Sequence, residues 1–74
     1  MKFKFDLQKH LATLSDNGIL SVELNIIQFS GYDAKYDLRR WRCYPDGEKR
    51  MQKGLTMNAK ELRKLRDTLN ALEI

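Results

Sequence analysis

Residues 35–42 carry charged, aromatic and apolar side chains in a pattern typical of a β-strand. As a β-strand, this segment places Lys35, Asp37, Arg39 and Trp41 on one face, because successive side chains point to opposite sides of a strand. Cations contact the phosphates of a nucleic-acid backbone, and an indole offers a surface on which an unpaired base stacks. The segment therefore suggests a surface that binds single-stranded nucleic acid.

The net charge of +4 is concentrated in one part of the chain. Residues 1–34 carry three basic and four acidic side chains, whereas residues 35–53 carry seven basic and three acidic ones. Residues 54–74 carry four basic and three acidic side chains. Clustering of this kind indicates a polyanionic partner better than the total charge does. The alternative is a solvated basic hairpin that only keeps the protein in solution.

The size and composition of the chain limit its chemistry. With 74 residues, it is expected to form one domain, residues 1–74, with a modest core. One cysteine and one histidine allow neither an intramolecular disulfide nor a Cys/His metal cage, so we expect no metal and no cofactor. No nucleophile–base constellation or phosphate-binding glycine loop is present, so we expect no enzymatic activity and no catalytic residue. A homodimer would supply the stability that the small core lacks.

Two features bear on cellular location. No apolar run is long enough to span a membrane, and Lys2, Lys4 and Asp6 interrupt any apolar stretch of a signal peptide. The unpaired thiol of Cys43 is consistent with a reducing compartment. We expect a cytoplasmic protein without a membrane partner, associated with the nucleoid.

Four strands are predicted to carry these side chains. Alternation of apolar and polar residues, broken by turn residues, predicts strands at residues 3–14, 19–29, 35–43 and 49–57. The alternation slips at Lys9 and His10, which predicts a bulge or bend there. Residues 44–48 form a strong hairpin signal, and Gly54 predicts a bulge or kink in the last strand.

A C-terminal helix is predicted after Asn58, which is a good N-cap with Glu61 at the third helical position of a capping box. A narrow apolar stripe follows, formed by Leu62, Leu65, Leu69 and Leu72. Such a stripe is ordinarily core, but its narrowness and the small chain favour a subunit interface for part of it. The predicted fold is α+β, with a four-stranded antiparallel curved sheet followed by one helix (ββββα).

One helix covers one face of a four-stranded sheet. If it packs on the face carrying Val22, Leu24 and Leu38, the other face stays open and displays Asn25, Ile27, Phe29, Lys35, Arg39 and Trp41. Rings and cations on an uncovered sheet predict a stacking platform in an electropositive groove. The alternatives are Phe29 and Trp41 as core residues, and Arg39 as only an ion-pair partner of Asp37.

The chain contains three short motifs in succession, at residues 35–41, 45–48 and 53–58. Together with residues 23–25 and the aromatic side chain of Phe29, they resemble the positive cofactor four family. These are transcriptional coactivator-like single-stranded DNA-binding proteins, and the likeness is to the short bacterial and phage-type members. The resemblance covers about residues 4–72.

The resemblance implies a homodimer that binds single-stranded or melted DNA with little sequence preference. It also implies action in transcription, replication or repair, with transcription or replication proteins as further partners. Position by position, it implies base stacking on Phe29 and Trp41. It implies phosphate or base contacts from Lys35, Arg39 and Lys53.

The chain departs from the family in two places. The eukaryotic coactivators carry an aromatic residue at the position of Arg42, so base stacking here is expected to depend on Phe29 and Trp41. The hairpin is longer than in the short members, and Lys49 and Arg50 are expected to extend the groove. Two other functions stay open: binding of single-stranded RNA, and a protein-interaction module that docks an acidic partner through Trp41.

Overall fold

The computed structural model describes residues 4–74, which form four strands and one helix. The elements are β1 (Phe5–Asp16), β2 (Leu20–Phe29), β3 (Lys35–Cys43), β4 (Lys49–Met57) and α1 (Ala59–Ala71). The strands pair antiparallel in the order β1-β2-β3-β4 in one open, uncurled sheet. The predicted α+β class and ββββα order are confirmed. Phe3, which the sequence placed in the first strand, lies outside the described residues.

β1 has more residues than the segment of β2 that it pairs with. Its register against β2 shifts between Leu7 and Lys9, between His10 and Ala12, and again between Thr13 and Ser15. Each shift accommodates one extra residue, namely Gln8, Leu11 and Leu14. Two of these bulges flank the Lys9–His10 position at which the sequence predicted one.

β3 and β4 approach closely at Gly54. This residue pairs with Arg39, next to the register shift between Arg39 and Trp41. A Cβ at position 54 would lie 2.0 Å from the Cβ of Arg39, so only glycine allows the two strands this separation. The irregularity predicted at Gly54 is therefore confirmed.

The capping box of α1 forms as predicted. The backbone N–H of Glu61 donates to Asn58 Oδ1 at 2.8 Å, and the backbone N–H of Asn58 donates to Glu61 Oε1 at 3.0 Å. The helix lies against β3 and β4, and none of its residues is buried. Leu62 and Leu65 are half-buried, whereas the later leucines of the stripe are exposed.

The two faces of the sheet are buried to different degrees. We call face A the side that carries Asn25, Ile27, Asp37, Arg39 and Trp41, and face B the side that carries Val22, Leu24, Tyr36 and Leu38 beside the helix. Except for Met57, the buried residues all lie on face A: Ser21, Glu23, Asn25, Ile27, Asp37 and Trp41.

The prediction that face A stays open is therefore wrong for its centre. Within residues 4–74, no second layer of secondary structure covers it. Instead, longer side chains from β1, β3 and β4 fold over the middle of the sheet and bury the residues beneath them. Sequence alternation assigned the residues to the correct face but did not show that this face would be covered.

Candidate nucleic-acid interface

Trp41 is enclosed by its neighbours on face A. The Phe5 ring lies with its centroid 5.8 Å from that of the indole, and Lys49 Nζ lies 5.9 Å from the centre of the ring. Only 4% of the residue is exposed, and Nε1 has no hydrogen-bond partner among residues 4–74. The predicted exposure of Trp41 is wrong, because Phe5 and Lys49 occupy the space that a stacked base would need. It is a core residue of the protomer.

Lys49 is held by a buried carboxylate. It forms an ion pair with Glu23, whose Oε2 also accepts a hydrogen bond from Ser21 Oγ at 2.6 Å. His10 Nδ1 lies 3.6 Å from Glu23 Oε1 and 2.6 Å from Asn25 Oδ1. The ammonium group predicted to extend the groove is thus partly neutralised on face A.

The pKa of Glu23 reflects these contacts. Burial raises it, but the hydrogen bonds from Lys49 and Ser21 and the charge of Lys49 outweigh burial and bring it below 4.5. A carboxyl with a lower pKa in the folded protein binds fewer protons there than in the unfolded chain. Its stabilisation is complete above the unfolded pKa and is lost as the pH falls through the folded pKa.

We therefore expect a fall in the urea midpoint of unfolding as the pH drops below about 4.5, part of which originates at Glu23. Glu23→Gln should make this acid limb shallower. Glu48→Gln is the matched control, because that carboxylate is half exposed and, in the described part of the chain, forms an ion pair with Arg50 alone. Equal acid limbs in the wild type and in Glu23→Gln would contradict the assignment.

Arg39 is both an ion-pair partner and part of an aromatic cluster. Its Nε and Nη2 donate to the two carboxylate oxygens of Asp37 at 2.6 and 2.5 Å, and Asp37 is fully buried. Its Nη1 donates to the carbonyl of Gln52 at 3.2 Å. The guanidinium carbon lies 5.8 Å from the centre of the Phe29 ring. Arg39 therefore presents a fixed plane, and its donors are largely used within the protein.

An open cleft lies at the end of β2 and the start of β3. We call it the Phe29 cleft; it measures about 470 Å³ and is lined by Phe29, Tyr32, Asp33, Lys35, Arg39, Gly54, Leu55 and Thr56. Its volume falls within the range of ordinary small-ligand sites. Lys35 is exposed, and Phe29 is partly exposed. Two aromatic rings and two cations thus border one accessible space.

Tyr32 is a cleft residue that lies in the loop between β2 and β3. Its backbone N–H donates to the carbonyl of Phe29 at 3.0 Å, so a tight turn brings the two residues together. Gly31 adopts a φ of 82° in that turn, a conformation that glycine allows at little cost. Tyr32 is 70% exposed. An aromatic residue directly after a turn glycine was the signal available in the sequence.

The cleft unites only part of the predicted site. It contains Phe29, Lys35 and Arg39. Lys53 lies instead with Arg39 and Arg40 in another depression, of about 510 Å³. Lys49 and Arg50 diverge, because Lys49 pairs across face A whereas Arg50 lies opposite Arg42 on face B.

Residues 4–74 contain neither a metal-binding cluster nor a helix that could span a membrane. No three His, Cys, Asp or Glu side chains in this range are placed to hold a metal ion. Within the same range, α1 is too short and too polar to cross a lipid bilayer.

Fold and site together define a small ββββα protein with an aromatic and cationic cleft at one end of its sheet. No protein-family model matches the chain. An uncharacterized protein of Treponema pallidum (strain Nichols) is 38% identical over 73 residues, which are 97% of this chain and 82% of that protein. The chain belongs to the same family as this treponemal protein. Its resemblance to the positive cofactor four family stays a prediction.

Proposed function

We propose that this protein binds single-stranded DNA and that the Phe29 cleft receives an unpaired base. The observation that supports this most directly is the presence of Phe29, Tyr32, Lys35 and Arg39 around one open space. Aromatic rings stack on any base, because every base has a π-face, and nearby cations attract the backbone. Binding of this kind tolerates many sequences.

The contacts suggest different roles for the two cations. Arg39 already donates to Asp37 and Gln52, so its contribution is to orient and extend the stacking surface beside Phe29. Lys35 is exposed and has no ion-pair partner among residues 4–74, so its ammonium is available to a phosphate. In this proposal Tyr32 is the most accessible ring, and Phe29 forms the wall behind it.

The proposed cellular role is that of a coactivator-type DNA-binding protein. It would act in transcription, replication or repair, in the cytoplasm at the nucleoid, without catalysing a reaction. Trp41 has no direct part in binding here, because its ring is buried. Arg39 lines both the Phe29 cleft and the depression that contains Lys53. Lys53 would therefore contact DNA beside the cleft rather than inside it.

A homodimer is part of the proposal. Leu69 and Leu72 are 48% and 52% exposed, and an apolar groove of about 600 Å³ lies between α1 and the Leu24–Tyr36 region of face B. A second copy of the chain would remove this apolar surface from water. Light scattering should give about twice the chain mass of 8.8 kDa, and Leu69→Glu should give the monomer. A monomeric wild type at high concentration would contradict the dimer.

The direct test is a titration of dye-labelled oligothymidine, followed by fluorescence anisotropy at two salt concentrations. We expect a matched duplex to bind more weakly, because stacking in the cleft needs an unpaired base. Affinity should fall with salt, with a log–log slope of about −0.7 for each phosphate neutralised. Equal affinity for duplex and single strand would contradict the stacking mechanism.

Two additional ligands separate the alternatives in the same assay. A matched RNA oligonucleotide that binds more tightly than DNA would make this an RNA-binding protein. An acidic peptide with the same net charge as the oligothymidine is the second ligand. If it displaces the oligothymidine, a protein-interaction module is favoured instead. Weak binding of both supports the DNA proposal.

A further inference from the structure

Two arginines face each other across the β3–β4 hairpin. Arg42 pairs directly with Arg50 in the strand register, and Arg40 precedes Arg42 by two residues on the same side of β3. All three are exposed on face B. Like charges directly opposite each other destabilise a sheet, so this pairing needs an explanation beyond folding. We refer to Arg40, Arg42 and Arg50 as the arginine cluster.

Tyr44 fixes the positions of two members of the cluster. Its ring centre lies 5.4 Å from the guanidinium carbon of Arg42 and 4.6 Å from that of Arg50. The backbone of Tyr44 is itself anchored in the hairpin turn, where its N–H donates to the carbonyl of Glu48 at 2.8 Å. Cation–π contacts thus hold two guanidinium groups close together despite their repulsion.

The charge of the cluster is poorly balanced within the protein. Glu48 contacts Arg50 at 3.2 and 3.3 Å, and both side chains are more than half exposed. Arg40 and Arg42 have no ion pair among residues 4–74. On face A, by contrast, the cations Arg39 and Lys49 both face buried carboxylates. Face B therefore displays positive charge at Arg40 and Arg42 that no ion pair within residues 4–74 neutralises, whereas on face A Lys35 at the Phe29 cleft is likewise exposed without an ion pair in that range.

We propose that the arginine cluster is a second nucleic-acid site, which binds backbone phosphates on the face opposite the Phe29 cleft. Planar guanidinium groups donate paired hydrogen bonds to phosphate oxygens. Arg40 and Arg42 are separated by about 6.6 Å along the strand, which gives a regular row of donors for the regularly spaced charges of an extended backbone. The site does not depend on base stacking in the cleft.

The neighbouring surface fits the same ligand. Arg40 and Lys53 border the depression of about 510 Å³, whose lining also includes Val22 and Leu38. An apolar surface flanked by cations suits the sugar and base of a nucleotide whose phosphates lie on the cluster. An acidic protein segment would use the cations but would gain less from this flanking surface.

The test follows the arginine Nε–Hε signals of the full chain by NMR during titration with an oligothymidine of about 16 nucleotides. We expect saturable shifts for Arg40, Arg42 and Arg50, and none for Arg63 or Arg66 of α1. Absence of shifts in the cluster while the oligonucleotide binds would overturn the proposal. If the cluster shifts but the Tyr32 signals do not, this site stands and the cleft proposal fails.

Binding measurements give an independent readout. Arg40→Gln combined with Arg42→Gln should make the slope of log affinity against log salt concentration less negative by about 1.4, or about 0.7 for each lost phosphate contact. Arg63→Gln combined with Arg66→Gln removes the same charge from the helix and should leave the slope unchanged. If both double variants change the slope equally, binding depends only on the net charge of the protein, and the proposal of a defined arginine site is wrong.

Two more comparisons complete the test. Tyr44→Leu should weaken binding, whereas Tyr44→Phe, which keeps the ring beneath both guanidinium groups, should not. A polyglutamate peptide that shifts the cluster signals as strongly as oligothymidine does would assign the surface to an acidic protein and overturn the nucleic-acid proposal.

Discussion

Tyr32→Ala is expected to weaken oligothymidine binding by roughly 5- to 150-fold, because each base stacked on an aromatic ring contributes about 1–3 kcal/mol. Tyr32 is 70% exposed, so the free energy of unfolding should change by no more than about 0.5 kcal/mol. Fluorescence anisotropy measures the affinity, and circular dichroism checks that the fold is retained. Tyr32 is a cleaner test than Phe29, whose ring also packs against Phe5 at 6.5 Å.

Two control variants sharpen this test. Tyr32→Phe keeps the ring and should bind within a few-fold of wild type. Leu14→Ala removes exposed apolar surface from β1, away from the cleft, and should leave affinity unchanged. If Tyr32→Ala binds oligothymidine as tightly as wild type does, the Phe29 cleft is not the base site.

Trp41→Ala should lower the free energy of unfolding by about 3–5 kcal/mol, the usual cost of truncating a large buried aromatic side chain. A domain of this size has little stability to lose, because globular proteins are typically stable by only about 5–15 kcal/mol. The substitution lowers the stability because it removes the contacts of the indole with Phe5 and Lys49 on face A. Urea unfolding followed by circular dichroism measures the loss.

Trp41→Phe provides the matched control. It retains a packed ring and removes the Nε1–H group, which has no partner among residues 4–74, so its expected cost is smaller than that of Trp41→Ala. Oligothymidine affinity of the folded variant should stay near wild type. The opposite result, in which Trp41→Ala is as stable as wild type but no longer binds oligothymidine, would mean that Trp41 is part of the binding surface.

Local signals in the sequence account for most of the fold. Alternation located the strands, the Asn58–Glu61 pair located the start of the helix, and Gly54 marked the irregularity in β4. Alternation also placed Lys35, Arg39 and Trp41 together on one side of β3. These features depend on neighbouring residues, so a single sequence contains enough information to predict them.

The covering of face A depends on residues far apart in the chain. Phe5 reaches Trp41 from β1, and Lys49 reaches Glu23 from β4 across the intervening strand. Which β1 side chains meet face A depends on the register shifts, since each extra residue reverses the alternation that follows. Sequence periodicity indicated one bulge there, and the other positions came only from the pairing of the two strands. Tyr32 was missed for a similar reason, because its position depends on the turn at Gly31.

The three irregularities of β1 also affect how the protein behaves in a crowded solution. β1 is an edge strand, and Leu7, Leu11 and Leu14 are 41%, 37% and 63% exposed along it. A straight edge with such side chains invites another chain to add to the sheet and begin aggregation. The bulges recur at every third residue and prevent an incoming strand from forming a continuous ladder of hydrogen bonds with β1. They therefore lower the tendency of this apolar edge to start fibril growth.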